Sequence, residues 1–128
     1  MNTQNAKIAI VDDEVHIRAL LEQTLEDLEG VPEIMIAVNG AEGLALIERE
    51  RPQLVFLDVM MPLMNGYEVC AAVRRNPALA FTTIVMLTAK GQESDRVRGL
   101  ETGAHYFVTK PFDPDEILDL ARKILASP

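Results

Sequence analysis

The residues of this chain that could do chemistry are few and polar: Asp12 and Asp13 directly after the first apolar run, Asp58 after a later one, Thr88 after the next, and Lys110 near the end. Carboxylates brought together repel one another, which raises the pKa of at least one of them or recruits a cation. A hard divalent ion with oxygen ligands resolves that repulsion, and Mg²⁺ suits a site with few carboxylates and room for waters and a phosphate. A carboxylate can also act as a nucleophile toward phosphorus and form an acyl phosphate. Asp58 is the better nucleophile because it stands alone at its strand end, whereas Asp12 and Asp13 come as a ligand pair. Phosphoryl transfer depends chiefly on positioning and charge neutralisation. The metal and the Lys110 ammonium would supply the latter, and Thr88 could hydrogen-bond a phosphoryl oxygen.

That chemistry requires the residues to converge, and the pattern of elements explains how they would. The runs Ile8-Ala9-Ile10-Val11, Leu54-Val55-Phe56-Leu57 and Ile84-Val85-Met86-Leu87 are short, branched and unalternating, as expected of parallel strands covered on both faces by helices. In an open parallel α/β sheet the functional crevice lies beyond the carboxyl ends of the strands, where Asp12, Asp13, Asp58 and Thr88 would meet. Weaker strands are expected at Ile34 to Val38 and at Tyr106-Phe107-Val108. A first helix carries Ile17, Leu20, Leu21, Leu25 and Leu28 on one face and stops at Gly30. A second follows Asn39-Gly40, carries Leu44 and Ile47 and ends before Pro52. A third runs from about Gly66 to Arg75 with Val69, Cys70 and Val73 inward and Asn76-Pro77 as terminator. A fourth spans Ser94 to Thr102, with Val97 and Leu100 on one side and Gly103 as a left-handed cap. Asp113-Pro114-Asp115-Glu116 starts the last helix, with a capping acid, proline in the first turn and acids at the positive end of the dipole.

At 128 residues the chain is one domain, large enough to bury a core without staples. The net charge of −8 argues against direct nucleic-acid binding, because phosphate contacts need Lys and Arg. The single Cys70 excludes an internal disulfide framework. Neither a signal peptide nor an apolar stretch long enough to span a bilayer is recognised, so no membrane role and a cytoplasmic location are expected.

Taken in order, Val11-Asp12-Asp13-Glu14, the run from Leu57-Asp58 through Met60-Met61-Pro62 to Asn65-Gly66, Leu87-Thr88-Ala89, Gly103-Ala104 and Thr109-Lys110-Pro111-Phe112 resemble the receiver domain of two-component response regulators. Any one segment would be weak, whereas the ordered set covers the chain from Ile8 to Leu125. The resemblance implies a flavodoxin-like, doubly wound five-stranded parallel sheet of order 2-1-3-4-5 with five helices. It implies that a histidine kinase or phosphotransfer protein phosphorylates Asp58, with Mg²⁺ held by Asp13, Asp58 and the backbone carbonyl of Met60, and with Asp12 acting mainly through a metal-bound water. By the same carry-over Lys110 pairs with the phosphoryl oxygens, Thr88 moves to meet them, and Lys110-Pro111 is a cis peptide. The chain would promote only its own phosphorylation and dephosphorylation.

The family couples Thr88 to an aromatic residue on the fifth strand, here Phe107, which lacks the hydroxyl of the frequent tyrosine. Tyr106 is offset by one residue and should face the other side of the strand. Met60 and Lys90 flank the path of attacking water, and since an apolar Met60 cannot orient it, slow self-dephosphorylation is expected. Receivers joined to winged-helix DNA-binding domains dimerise through charged pairs across the fourth helix, fifth strand and fifth helix. Arg96, Glu116 and Arg122 match such positions, but His105 and Tyr106 replace the usual acidic pair and Leu120 a usual arginine. Tyr106 and Leu120 could instead form an apolar patch that favours a different partner or dimer mode.

The blander expectations are that Cys70 is a buried small hydrophobe, that Met61 fills core, and that His16 and His105 are exposed. A phosphatase of the haloacid dehalogenase type is disfavoured, because its nucleophile follows the first strand in an Asp-x-Asp motif and it needs a cap insertion. The alternative function is a phosphorylation-independent interaction module of the same fold, whose usual signature is loss of the nucleophile or the lysine. No effector domain follows Pro128 in the sequence, so the expected output is a downstream protein or a covalently linked effector from a longer regulator.

Overall fold

The computed structural model describes residues 6–30, 32–89 and 94–126, with the side chains of residues 94–96 excepted. Five strands, β1 (Lys7–Val11), β2 (Glu33–Ala37), β3 (Leu54–Asp58), β4 (Thr83–Ala89) and β5 (Tyr106–Lys110), alternate with helices α1 (Val15–Leu25), α2 (Gly40–Glu50), α3 (Gly66–Arg74), α4 (Ser94–Thr102) and α5 (Pro114–Ala126). The strands form one sheet in the order β2-β1-β3-β4-β5, and all four pairings are parallel. β3 is buried along its whole length, which is why its sequence runs apolar without alternation.

Side chains alternate across the sheet into two cores. Ile8, Ile10, Phe56, Val85, Leu87 and Val108 meet α1 and α5 through Leu21, Leu25, Ile117 and Ala121. Ala9, Val11, Val55, Leu57 and Met86 meet α2 and α3 through Ile47, Val69, Cys70 and Val73. Each fully buried valine, leucine, isoleucine, methionine or phenylalanine among them contributes about 1.5–3 kcal/mol relative to exposure. Tyr106 packs with the first core and Phe107 with the second, as the alternation predicts.

The helix ends follow local chemistry. Asn39 Oδ1 accepts the Glu42 N–H at 2.8 Å to start α2. Asn65 and Glu68 form a reciprocal capping box at the start of α3, with bonds of 2.9 and 3.0 Å. Gly103 ends α4 with φ +101°, and Asp113 Oδ1 accepts the Asp115 N–H at 2.9 Å to start α5.

One expectation needs correction, and the structure adds detail to two others. α1 ends at Leu25, short of the predicted Gly30, and Leu28 is buried from the turn that follows, because burial rewards an apolar side chain whatever backbone carries it. A short 3₁₀ helix, Pro77–Leu79, capped by the Asn76 side chain, follows α3 where only a terminator was expected. Val97 and Leu100, expected on one side of α4, are 61% and 60% exposed. The helix approaches β5 through Gly99 instead, where a Cβ would lie 2.3 Å from the Phe107 ring.

Candidate functional site

The carboxyl ends of the central strands bring the expected residues together. Asp12 follows β1 and is fully buried; Asp58 is the last residue of β3 and 5% exposed; Thr88, near the end of β4, is buried; Asp13 and Glu14 are exposed. One carboxylate oxygen from each of Asp12, Asp13, Glu14 and Asp58 lies within 4.8 Å of the others. Glu14 was not among the predicted site residues, although it stands directly after Asp12-Asp13 in the quoted motif.

Lys110, the last residue of β5, reaches into this cluster. Its Nζ lies 2.9 Å from Asp12 Oδ2, 2.9 Å from Glu14 Oε1 and 3.2 Å from Asp58 Oδ1. The contact to Asp12 is an ion pair without hydrogen-bond alignment, for Asp12 Oδ2 is buried with no hydrogen-bond partner. Asp12 Oδ1 accepts the Glu14 backbone N–H at 2.8 Å, and the Asp12 carbonyl accepts from Arg18 Nη1 at 3.0 Å. The Lys110-Pro111 peptide is cis, as expected.

One ammonium does not balance these acids, and the titration of the site reflects that. Burial, followed by the charge of Asp12, pushes Asp58 up to about 7, against the pull of Lys110. Burial also raises Asp12, opposed by the Glu14 N–H and Lys110. For Lys110 burial acts downward, but its contacts with Asp12 and Glu14 and the charge of Asp58 hold it above its ordinary value. A pocket of hard oxygen donors with more carboxylates than the single Lys110 ammonium can neutralise fits a small divalent cation such as Mg²⁺.

The loop after β3 is shaped by close approach. Gly66 sits over the end of that strand: a Cβ there would lie 2.4 Å from the Asp58 carbonyl oxygen and 2.9 Å from Val59 Cα. The Gly66 N–H donates to the Val59 carbonyl at 2.9 Å. Met60 is 71% exposed in this loop, while Met61 and Met64 turn partly onto the core. Leu63 adopts a left-handed φ of 73°. Lys90, expected to flank the site, lies outside the described residues.

Of the remaining residues, Cys70 is buried, its thiol pushed up by burial and donating to the Thr102 carbonyl at 3.3 Å. His16 is exposed. His105 is largely exposed too, but its Nδ1 accepts the Ile84 backbone N–H at 3.1 Å. Burial holds its pKa below the ordinary value, with the Arg74 charge adding to the shift. Arg122, matched to an intermolecular pairing position, is instead engaged within the chain, at 3.0 Å from Glu29. The side chain of Arg96 lies outside the described residues.

Among the described residues no helix is long and apolar enough to cross a membrane. A family model described as "Response regulator receiver domain" matches residues 8–122. The chain is 44% identical over 125 residues to "Probable transcriptional regulator ycf27" of Porphyra purpurea, covering 98% of this chain and 49% of the relative. It is 43% identical over 121 residues to the alkaline phosphatase synthesis transcriptional regulatory protein PhoP of Bacillus subtilis, covering 94% and 49%. It thus spans about half the length of these curated relatives. Among solved structures, the chemotaxis response regulator CheY4 of Vibrio cholerae superposes with a TM-score of 0.85 at 34% identity, over 95% of this chain and 100% of that one. From these matches, and from the fold and cluster that agree with them, the chain belongs to the response regulator receiver domains.

Proposed function

We propose that Asp58 is the phosphoacceptor of this receiver domain and that the acidic cluster works as a switch set by a histidine kinase or a phosphotransfer protein. The observation that supports this most is the convergence on Lys110 of three carboxylates from two separate strand ends, two of them buried. A structural ion pair needs one acid, and burying two around one ammonium is costly unless charge of the opposite sign arrives.

Asp13, Asp58 and the Met60 carbonyl would hold Mg²⁺, with Asp12 helping through a bound water. When bound, the ion neutralises the phosphoryl oxygens and the carboxylates around them. An Asp58 carboxylate oxygen attacks the phosphorus of the donor's phosphohistidine. The P–O bond forms as the P–N bond breaks, and the electron pair of that bond leaves with the imidazole. Lys110, already among the acids, shifts its hydrogen bonds toward the phosphoryl oxygens. Thr88 donates its hydroxyl to one of them, and Phe107, which lies against Gly99 of α4, follows it inward. The domain then presents an altered α4-β5-α5 face to a partner protein or a linked effector. Transcription is the output that the names of the longer relatives give, and the same face could serve a homodimer. Apart from promoting its own phosphorylation and dephosphorylation the domain needs no catalysis.

Intact mass after incubation with acetyl phosphate and Mg²⁺ tests the proposal, with chelator and Asp58→Asn run alongside. One added phosphoryl mass that needs both metal and Asp58 is expected. Persistent absence of an adduct, with phosphorylated kinases as donors too, would leave an interaction module independent of phosphorylation.

A further inference from the structure

β5 is an edge strand, and an open edge is where proteins most readily accept a partner segment. Along its outer side, against α5, runs a groove of about 570 Å³. Its floor is apolar: Tyr106, Val108 and Leu120 line it, and all three also touch the core beneath. Its wall on α5 is acidic, formed by Asp113, Asp115, Glu116 and Asp119, with Lys123 as the one cation among the described residues of the lining. Lys123 Nζ lies 5.4 Å from the centre of the Tyr106 ring, so this cation is already placed over the floor.

Among the described residues most acids of this wall, like Glu42 and Glu48 on α2, lack the close cation that some other acids of the chain have. Glu29, Glu50, Asp12, Glu14 and Asp58 each face an arginine or lysine within 4.0 Å. Asp113, Asp115 and Glu116 have no ion-pair partner among the described residues, and Asp119 has only a long contact of 3.7 Å to Arg122. On the α4 side Arg98 does not compensate them, because its guanidinium is stacked 4.2 Å from the centre of the Tyr67 ring of α3. Part of this acid content serves the start of α5, since Asp113 caps the helix. Glu116 and Asp119 lie one turn apart beside Leu120 and continue the charge beyond the cap.

We infer that this groove receives a basic amphipathic segment of a partner protein, with an apolar side chain on the Tyr106 and Leu120 floor and lysines or arginines against the α5 wall. A second copy of the chain is a poor occupant of the groove itself, because a two-fold contact through it sets each patch against itself and would face carboxylates with carboxylates; a homodimer on the wider α4-β5-α5 face would have to close outside the groove. Nucleic acid and anionic membrane carry the wrong sign. Each exposed pair contributes only about 0–1 kcal/mol, so the charges select the partner and speed its approach while the apolar floor holds it. The inference rests on the proposed switch, since Phe107 also lines the groove and its movement would reshape it.

The test uses an 18-residue amphipathic leucine-lysine peptide as probe, followed by amide chemical-shift mapping and fluorescence anisotropy on protein with and without acetyl phosphate and Mg²⁺. Shifts confined to residues 106–108 and 113–123 are expected. Affinity should fall at least tenfold in Glu116→Lys/Asp119→Lys and in Leu120→Asp. It should stay within about twofold in Glu42→Lys/Glu48→Lys, which makes the same net charge change on α2. Equal losses in the two charge-reversed proteins, or shifts elsewhere, would overturn the inference, as would a dimer that Leu120→Asp dissociates. Mass analysis of the same samples separates the two ideas. A missing phosphoryl adduct with groove binding intact defeats the switch alone, and a normal adduct without groove binding defeats this inference alone.

Discussion

Replacing Asp58 by Asn should stabilise the metal-free protein, and the size of the gain should depend on pH in a defined direction. Asp58 titrates at about 7 in the folded chain, against about 3.9 for an unperturbed aspartate. Between those values the native state holds a proton that the unfolded chain has released, so the contribution of this residue to stability falls as pH rises through the window. The shift is about three units at ~1.36 kcal/mol each, which makes the burial of ionised Asp58 cost ~4 kcal/mol by pH 8 and ~1 kcal/mol at pH 4.5. An asparagine amide has its own desolvation cost of about 1–3 kcal/mol, but that cost is the same at both pH values. The difference in unfolding free energy between Asp58→Asn and the parent chain should therefore grow by ~3 kcal/mol from pH 4.5 to pH 8. Urea unfolding followed by far-ultraviolet circular dichroism, in chelator, measures it; the chain has no tryptophan to report by fluorescence. Saturating Mg²⁺ should close the gap by stabilising the parent. Lys110→Met should move the other way at pH 8, because it leaves Asp12 and Asp58 buried without their ammonium. A gap that does not change between the two pH values would refute the reasoning, since it would mean that Asp58 is no more strained than an exposed acid.

Other substitutions probe the surrounding structure. Gly66→Ala should cost about 1–3 kcal/mol and weaken Mg²⁺ binding, because the added methyl meets the Asp58 carbonyl and Val59 backbone; urea curves and a Mg²⁺ titration within error of the parent would count against that close approach. His105 contributes a second pH effect of the opposite sign. Its folded pKa is lowered, so the unfolded chain takes up a proton first and stability falls as pH drops below the ordinary imidazole range. Protonation of Nδ1 would set a donor against the Ile84 N–H. His105→Gln, compared with the parent by urea unfolding at pH 7.5 and pH 5.5, should lose less stability on acidification, and equal losses would remove the histidine from the account. Met60→Asn should shorten the lifetime of the phosphorylated form several-fold, because an exposed polar amide can orient water where an apolar side chain cannot; decay followed by intact mass at an unchanged rate would sink the idea.

Much of this molecule is written locally. The branched runs at Ile8, Leu54 and Ile84 fix buried parallel strands because no half-exposed sheet face tolerates them, and Asn39, Gly103 and Asp113 mark helix ends through chemistry that acts within a few residues. The strand order and the meeting of Asp12, Asp58 and Lys110 were legible for a further reason: their motifs occur together and in order, so the resemblance supplied the long-range pairing that local pattern cannot. Expectations strayed where burial and conformation come apart. Leu28 has the spacing of a helical face yet is buried from a turn, and the side of α4 that carries Val97 and Leu100 is exposed while Gly99 is the residue closest to Phe107 of β5.

What only the tertiary structure decided is which partner each charge takes when several are within reach. Lys110 engages Glu14 as well as the two buried aspartates, across 96 residues of sequence in the first case. Arg122 turns to Glu29 and keeps only a longer contact to Asp119 of the α5 wall, and His105 lends its imidazole nitrogen to the N–H of Ile84. These choices depend on ångström differences between side chains carried by separate elements, and Coulomb and hydrogen-bond energies change steeply over such distances. Residue types and their spacing determine which groups are available and at which end of the sheet, while the pairing itself is settled only when the helices have packed.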